Sequence, residues 1–452
     1  MGAPPLGSRL PEVRVPPPGP ASRALAERLR AVESRDVTHL SADWPVFWEE
    51  ARGANVVDAD GNTYLDLTGA FGVALLGHGH DGVAAAVAAQ ASRLVHGMGD
   101  VHPPSVKLRF LERLAALAPW PGAKVVLSST GSEAVETALK AALVATGRAG
   151  IVAFEGAYHG LTLGSLATTD REHFRAPFAR RLYGGVAFAP FPDPLRHGAN
   201  AARIALERVE ELLGAGAPNG DRIGTVIVEP VQGRAGVRVP PEGFMAELST
   251  LARKAGAVVI ADEVFTGMGR CGGLYASQRV GLEPDLVCLG KALGGGLPLS
   301  ACVGRSEVMD AWPESTGEAI HTSTFLGHPL ACAAGLAVLD ALEGEGVPAR
   351  ARTLGERLVA GLRDALRGAD GVAEVRGLGL MIGIELARGS DAKPAVGAGA
   401  RAARGALKHG VLVLPAGEHG HVLELTPSVG LTDEQTAFAV AAVARAVKEA
   451  LA

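Results

Sequence analysis

The sequence is poor in cysteine, in aromatic residues and in long apolar runs, and each shortage closes off a class of protein. Only four cysteines occur in 452 residues, at Cys271, Cys288, Cys302 and Cys332. They are too few for the disulfide framework of a secreted domain and too widely spaced for a CxxC pair, so the pattern fits a reducing cytoplasm. Aromatic residues make up 4% of the chain, and the 43 basic against 48 acidic residues leave a net charge of −5. No basic stripe with interleaved aromatics is present, which argues against a nucleic-acid surface and for a small-molecule ligand. No apolar stretch reaches the roughly eighteen residues that a membrane-spanning helix needs. The opening, MGAPPLGSRLPEVRVPPPGP, has neither the apolar core of a secretory signal nor a periodic amphipathic face. Residues 1–20 therefore read as a disordered, Pro-rich tail.

What the chain does have is length and a hydrophobic content of 48%, enough for two lobes with a large buried core. Helical spacing of apolar residues runs from about Ala21 to Leu40, followed by the aromatic loop containing Trp44, Phe47 and Trp48. Asn55–Asp58 and Thr63–Asp66 flank the turn Asp60-Gly61-Asn62 and predict a hairpin. Between Val125 and Cys302, short β-branched runs alternate with helical stretches: Val125–Leu127, Ile151–Phe154, Thr225–Val228, Val258–Ala261 and Leu286–Leu289. That alternation predicts an α/β fold built on a mainly parallel sheet covered on both faces. Beyond Pro329, two Ala/Leu-rich helical stretches, a strand near Leu380–Glu385, a helix near Arg401–Lys408 and Val411–Leu414 predict a smaller α+β lobe. The expected division is an N-terminal segment of the small domain at 21–66, a large domain at 67–330 and a C-terminal small domain at 331–452.

Three segments carry chemistry. Ser128-Ser129-Thr130-Gly131-Ser132-Glu133 joins a strand to a helix, and free N–H groups at such a start can bind a phosphate or merely be capped. Ala261-Asp262-Glu263-Val264 puts an acid just past a buried strand, at the end where open parallel sheets place ligands. There a carboxylate can pair with a pyridinium nitrogen, or simply be a solvated acid. Leu289-Gly290-Lys291-Ala292 sets a single lysine between a strand and glycines. A lysine amine forms Schiff bases when its pKa is lowered. The alternative of a phosphate loop fails, because Asp285 stands where its first glycine belongs and Ala292 where its Ser/Thr belongs.

In order along the chain, SSTGSEAVETALKAA, AYHG, VEPVQG, ADEVFTGMGR, GKALGGGLPLS and HTSTFLGHPLA resemble the class III aminotransferases of the ornithine, 4-aminobutyrate and ω-amino acid type, and the resemblance covers nearly everything after Val37. It implies a fold type I transferase dependent on pyridoxal 5′-phosphate (PLP), with a seven-stranded large-domain sheet. It also implies a catalytic lysine, Lys291, that holds the cofactor and shuttles a proton. Asp262 is implied at the pyridine nitrogen, Val264 and Tyr158 on the two ring faces, Gly131 and Ser132 at the phosphate, and Glu229 near the cofactor. Thr324 is implied to reach the phosphate in a neighbouring subunit, which makes a homodimer with shared active sites, a dimer of dimers being left open.

The chain departs from the family at three places. Phe265 replaces a glutamine expected to hydrogen-bond the cofactor's phenolic oxygen. Arg234 and Glu424 stand where many members carry a glutamate and a carboxylate-binding arginine respectively, so either the two charges form a swapped gate or one of them is a plain surface residue. Phe71 is expected as an apolar pocket wall, as is Trp44, unless both are plain core. His159 and His321 lack metal-ligand spacing, and no metal is expected. The reaction expected is ping-pong amino transfer from an amine, ω-amino acid or amino acid donor to a keto acid or aldehyde acceptor. A racemase or epimerase on the same scaffold, a dialkylglycine-type decarboxylase and a noncatalytic binding module are the alternatives.

Overall fold

The computed structural model describes residues 4–389 and 391–452. Two compact units divide the chain, Asp81–Thr353 and Met1–His80 with Leu354–Ala452. In the second of these, β1 (Trp48–Arg52), β2 (Asn55–Asp58) and β3 (Thr63–Asp66) form an antiparallel meander. The expected hairpin is its β2–β3 arm, closed by Asp58 Oδ1, which accepts from Asn62 N (2.8 Å) and Asp60 N (3.0 Å).

Asp81–Thr353 holds β4 (Lys124–Ser128), β5 (Gly150–Phe154), β6 (Val186–Ala189), β7 (Ile223–Val228), β8 (Val258–Asp262), β9 (Leu286–Leu289) and β10 (Ser300–Gly304) in one seven-stranded sheet of order β4-β10-β9-β8-β7-β5-β6. β10 alone runs against the other six strands. Both β7 and β8 are buried along their whole length, which is why they read as near-continuous apolar runs rather than alternating ones. The helix Gly131–Thr146 lies against the centre of the sheet through Ala134, Val135, Ala138, Ala141 and Ala142, packed with Ile227, Ile260 and Cys288. Its small residues let helix and sheet approach closely.

The remaining strands are β11 (Val372–Leu378), β12 (Met381–Arg388), β13 (Lys393–Pro394), β14 (Val411–Leu412), β15 (Leu414–Ala416) and β16 (Val422–Leu425). β14 adds to β3, while β11, β12, β16 and β15 line up in a second sheet, with β13 on β12.

Three expectations need correction. The opening stretch is held from Gly7 on rather than disordered: Asn55 Oδ1 accepts from Gly7 N (2.9 Å) and Arg9 N (3.0 Å), Asn62 Oδ1 accepts from Arg14 N and Val15 N (both 2.9 Å), and Glu12 bridges to Thr63. The prolines remove donors, and buried asparagine side chains take up the N–H groups that remain. The domain division also falls later than 66/67, because Thr426 N donates to Leu67 O (2.7 Å) and Val429 N to Leu75 O (2.9 Å), tying residues 67–80 to the end of β16. At the other boundary, the helix Pro329–Gly344 packs on the helix Asp81–Ala91 and so belongs with residues 81–353.

Candidate active site

Because β10 runs against the rest, the carboxyl ends of β4, β5, β7, β8 and β9 share one sheet edge, the place where open sheets bind ligands. Every chemistry-bearing segment of residues 81–353 except Thr324 follows one of these ends.

β4 leads into the helix Gly131–Thr146 through a capping box: Thr130 Oγ1 accepts from Glu133 N (3.3 Å), and Glu133 Oε2 accepts from Thr130 N and Ser129 N (both 2.9 Å). The N–H groups of Gly131 and Ser132 stay outside that box and carry the positive end of a sixteen-residue helix. Gly131 has to be glycine, since a Cβ there would lie 2.7 Å from Val264 Cγ1. The same contact sets Val264, which follows β8, beside the helix start.

After β5 the loop Ala157–Gly160 comes back over the helix start, where Leu161 N donates to Ser132 Oγ (3.3 Å). Tyr158 N donates to Glu229 Oε1 (3.0 Å) and Gly233 N to Glu229 Oε2 (3.0 Å), so the acid that follows β7 is a bracket for the Tyr158 loop. Burial pushes Glu229 up from 4.5 to about 7, with His159 opposing and Asp262 reinforcing. Burial also raises Tyr158, and the positive charges of Arg234 and Arg171 oppose it. Arg234 thus stands within electrostatic reach of the tyrosine.

Asp262 ends β8 and is buried. Its Oδ2 lies 2.7 Å from His159 Nδ1 and its Oδ1 accepts from Val264 N (3.1 Å). Two bonds therefore fix the carboxylate's plane. Among the described residues, His159 Nε2 is buried without a hydrogen-bond partner. Lys291 is the first residue of the short 3₁₀ turn after β9 and takes φ of 45°. Its Nζ sits 3.3 Å from the centroid of the Phe265 ring, where an aromatic face attracts an ammonium.

The structure therefore brings Gly131, Ser132, Tyr158, Glu229, Asp262, Val264 and Lys291 to one edge. Thr324 is exposed between residues 320 and 328, and among the described residues no hydrogen bond links it to this group. Phe71 and Glu424 belong to the other unit: Phe71 is 62% exposed, and Glu424 is buried on β16, paired with Gly383 and Leu414.

Sequence reasoning passed over two residues. His159 lacks metal-ligand spacing in the sequence, and its place next to Tyr158 at a strand end is the available signal of its role. Glu263, beside Asp262, is turned away from the group: its Oε2 accepts from Ala276 N (2.5 Å) and its Oε1 from Ser277 N (2.8 Å), anchoring the helix Ala276–Val280. Burial lifts it from 4.5 to about 7. With the folded value raised, the stability it lends is complete below about pH 4.5 and is lost as pH rises through about 7. Glu263→Gln keeps one acceptor and sets an amide donor against an N–H, so it should lower unfolding free energy by about 1–3 kcal/mol. That deficit should be largest near about pH 5 and shrink toward about pH 8 in denaturant titrations; a deficit that grows with pH would refute the assignment.

The sequence matches the class-III aminotransferase family over residues 37–447. It is 37% identical over 432 residues to the 4-aminobutyrate aminotransferase of Mycobacterium bovis, covering 92% of this chain and 93% of the relative. It is 36% identical to the 5-aminovalerate aminotransferase of Pseudomonas aeruginosa, covering 95% and 99%. Among solved structures, the PLP-bound amine transaminase of an uncultivated Pseudomonas species superposes with a TM-score of 0.83 at 31% identity, covering 92% of this chain and 98% of the other.

Proposed function

From the premise that this chain belongs to the class III aminotransferases and is a PLP-dependent aminotransferase of fold type I, we propose that it transfers the amino group of an ω-amino acid or ω-amine to a keto acid, with Lys291 moving the proton. The observation that carries the assignment of roles is the edge just described, where Lys291, a doubly anchored Asp262 and a capped helix start follow the carboxyl ends of β9, β8 and β4. A racemase is not favoured, since the family and its named relatives are aminotransferases.

The residues fit the cofactor by donor chemistry. The N–H groups of Gly131 and Ser132 would take the phosphate, Asp262 would hold the ring nitrogen, Tyr158 and Val264 would cover the ring faces, and Lys291 would form the covalent link. When bound, PLP supplies an electron-poor ring that accepts the electron pair left as the donor's C–H bond breaks. The protein's own work is then positional. Lys291 Nζ takes the proton from one carbon and delivers it to another, a step that needs an amine rather than an ammonium. His159 keeps the Asp262 carboxylate in one orientation. Glu229 fixes the backbone of Tyr158. Phe265 offers no hydrogen bond where the family has glutamine, so its ring serves Lys291 instead.

For the donor, both relatives named above act on ω-amino acids, whose far carboxylate needs a cation. We assign that role to Arg234, which stands within electrostatic reach of Tyr158. Arg234→Ala should raise KM for 4-aminobutyrate roughly 10- to 100-fold and leave simple amines within about threefold. An unchanged donor profile in Arg234→Ala would sink that assignment.

The enzyme is further proposed to be a homodimer in which Thr324 serves the neighbour's phosphate. Support comes from the exposed apolar residues Leu94, Val95, Met98, Val101, Leu108 and Phe325, gathered where His96 meets Phe325 and Thr322 bonds to Asp100. Clusters of this kind mark interfaces. Met98→Asp with Phe325→Asp should weaken the dimer at least ~100-fold by analytical ultracentrifugation; a wild-type monomer would contradict the reading. A reducing cytoplasm is the proposed location, supported by four buried free thiols, and a native disulfide at any of them would oppose it.

A further inference from the structure

Glu229 uses its two carboxylate oxygens on two different loops. Tyr158 N, in the loop after β5, donates to Oε1 (3.0 Å), and Gly233 N, in the loop after β7, donates to Oε2 (3.0 Å). β5 and β7 are neighbours in the sheet, and Gly233 immediately precedes Arg234. One buried side chain therefore holds the backbone at the tyrosine and the backbone next to the arginine. The two loops also meet electrostatically, since the Tyr158 phenol lies within reach of the charges of Arg234 and Asp262.

Both loops are stiff, so a bracket between them passes position from one to the other. Gln232 N donates to Arg238 O (3.1 Å) and Arg238 N to Gln232 O (2.9 Å), which closes residues 232–238 into a small loop. Inside it, Gly236 N and Val237 N donate to Gly233 O (2.9 and 3.0 Å). Val237 is buried at φ of 53°, a conformation that a β-branched residue takes only where its surroundings impose it. Gln232 Nε2 donates to Glu155 O (2.9 Å), and a Cβ on Gly156 would lie 3.1 Å from Ala235 Cβ, so the two loops also touch behind Tyr158. On the tyrosine's side, His159 N donates to Thr169 Oγ1 (2.9 Å), Thr169 Oγ1 to Gly160 O (3.1 Å) and Asp170 N to Ala157 O (3.0 Å).

An ionised acid suits this double task, because it presents two acceptor oxygens and no donor. Glutamine of the same length has one acceptor and would set an amide N–H against the backbone N–H that its oxygen leaves. Protonation does the same to the acid, by turning one acceptor into a donor.

We propose that Glu229 is a positioning residue for donor selection: by holding Tyr158 N and Gly233 N at once it sets the spacing between the tyrosine and Arg234, and with it how well the far carboxylate of an ω-amino acid is received. The inference rests on the reading of Arg234 as that carboxylate's cation. Glu229 acts only through the two loops, being an anion with both oxygens engaged.

The test is the ratio of kcat/KM for 4-aminobutyrate to kcat/KM for butylamine, in which changes of PLP content or proton transfer common to both donors cancel. In Glu229→Gln holoenzyme at about pH 8 the ratio should fall about tenfold. The fall should run in the same direction as in Arg234→Ala and lie mostly in KM for 4-aminobutyrate, with faster amide exchange at Tyr158 or Gly233. Burial and the charge of Asp262 push Glu229 up to about 7, against His159. The wild-type ratio should therefore drop toward the variant's as pH falls from about 8 to about 6, and Glu229→Gln should lose that dependence. A ratio lowered by Arg234→Ala but not by Glu229→Gln, or an unchanged pH dependence in Glu229→Gln, overturns the positioning role. If Arg234→Ala leaves the ratio alone, the arginine reading fails and the selection role with it; wild-type exchange at both amides in Glu229→Gln would show separately that Glu229 brackets nothing. Should Glu229→Gln not fold, a wild-type ratio that stays flat over the same pH range overturns the proposal by itself.

Discussion

Lys291→Ala holoenzyme is expected to transfer amino groups at least ~10⁴-fold more slowly than wild type, with borohydride no longer fixing PLP to the chain. A positioned general base is worth about 10²–10⁴-fold, and tethering the reacting groups in one site adds to that through effective concentration. Both contributions end with the loss of one side chain. Its position explains why no neighbour substitutes: Gly290 is extended, with φ of −173°, Lys291 turns at 45°, and the amine rests 3.3 Å from the centre of the Phe265 ring. Lysines elsewhere in the sequence, such as Lys107 on the helix Ser105–Ala116 or Lys140 on the helix Gly131–Thr146, do not follow a strand at this edge. Kinetics with purified variant and intact-mass measurement after borohydride check the outcome. Residual activity above about one per cent of wild type would place the proton transfer on another group.

Asp262→Asn should reduce turnover roughly 10³-fold, as loss of a preorganised charge in a buried site does. The shape of the side chain survives, and Val264 N can still donate to its oxygen. The negative charge is lost, however, and the amide nitrogen faces His159 Nδ1, which forces the imidazole to put its proton on Nε2. His159→Gln should cost less, about 10- to 100-fold, since it removes the support and leaves the charge. A cofactor analogue with a permanently cationic, methylated ring nitrogen should restore part of the Asp262→Asn activity and none of the Lys291→Ala activity. Equal response of the two variants to that analogue would contradict the separate roles.

Much of this was legible in the sequence because parallel strands buried on both faces leave a plain signature. β7, β8 and β9 are near-continuous apolar runs, and the residue that matters stands at or just past the end of each: Glu229, Asp262 and, after one glycine, Lys291. The hairpin was equally plain, since Asp60-Gly61-Asn62 specifies its own turn. What escaped is non-local. Asn55 and Asn62 hold backbone 46 to 48 residues upstream, and nothing in a proline-rich opening announces such partners. Glu263 and Asp262 are neighbours of the same type, and only the fold reveals that one faces His159 while the other anchors a helix. Cys288 and Cys302, far apart in sequence, are cross-strand partners on β9 and β10. The left-handed turn at Ala70 and Phe71 is hidden because neither residue favours positive φ; the flanking glycines were its only trace.

The most direct test of the central claim is a single-turnover assay: purified holoenzyme is mixed with 4-aminobutyrate in the absence of any keto acid, and the carbonyl product is counted. The account predicts one equivalent of product per active site and then arrest, with turnover resuming on addition of pyruvate or 2-oxoglutarate. Product that keeps accumulating without an acceptor, or none at all across a panel of amino donors, would contradict it.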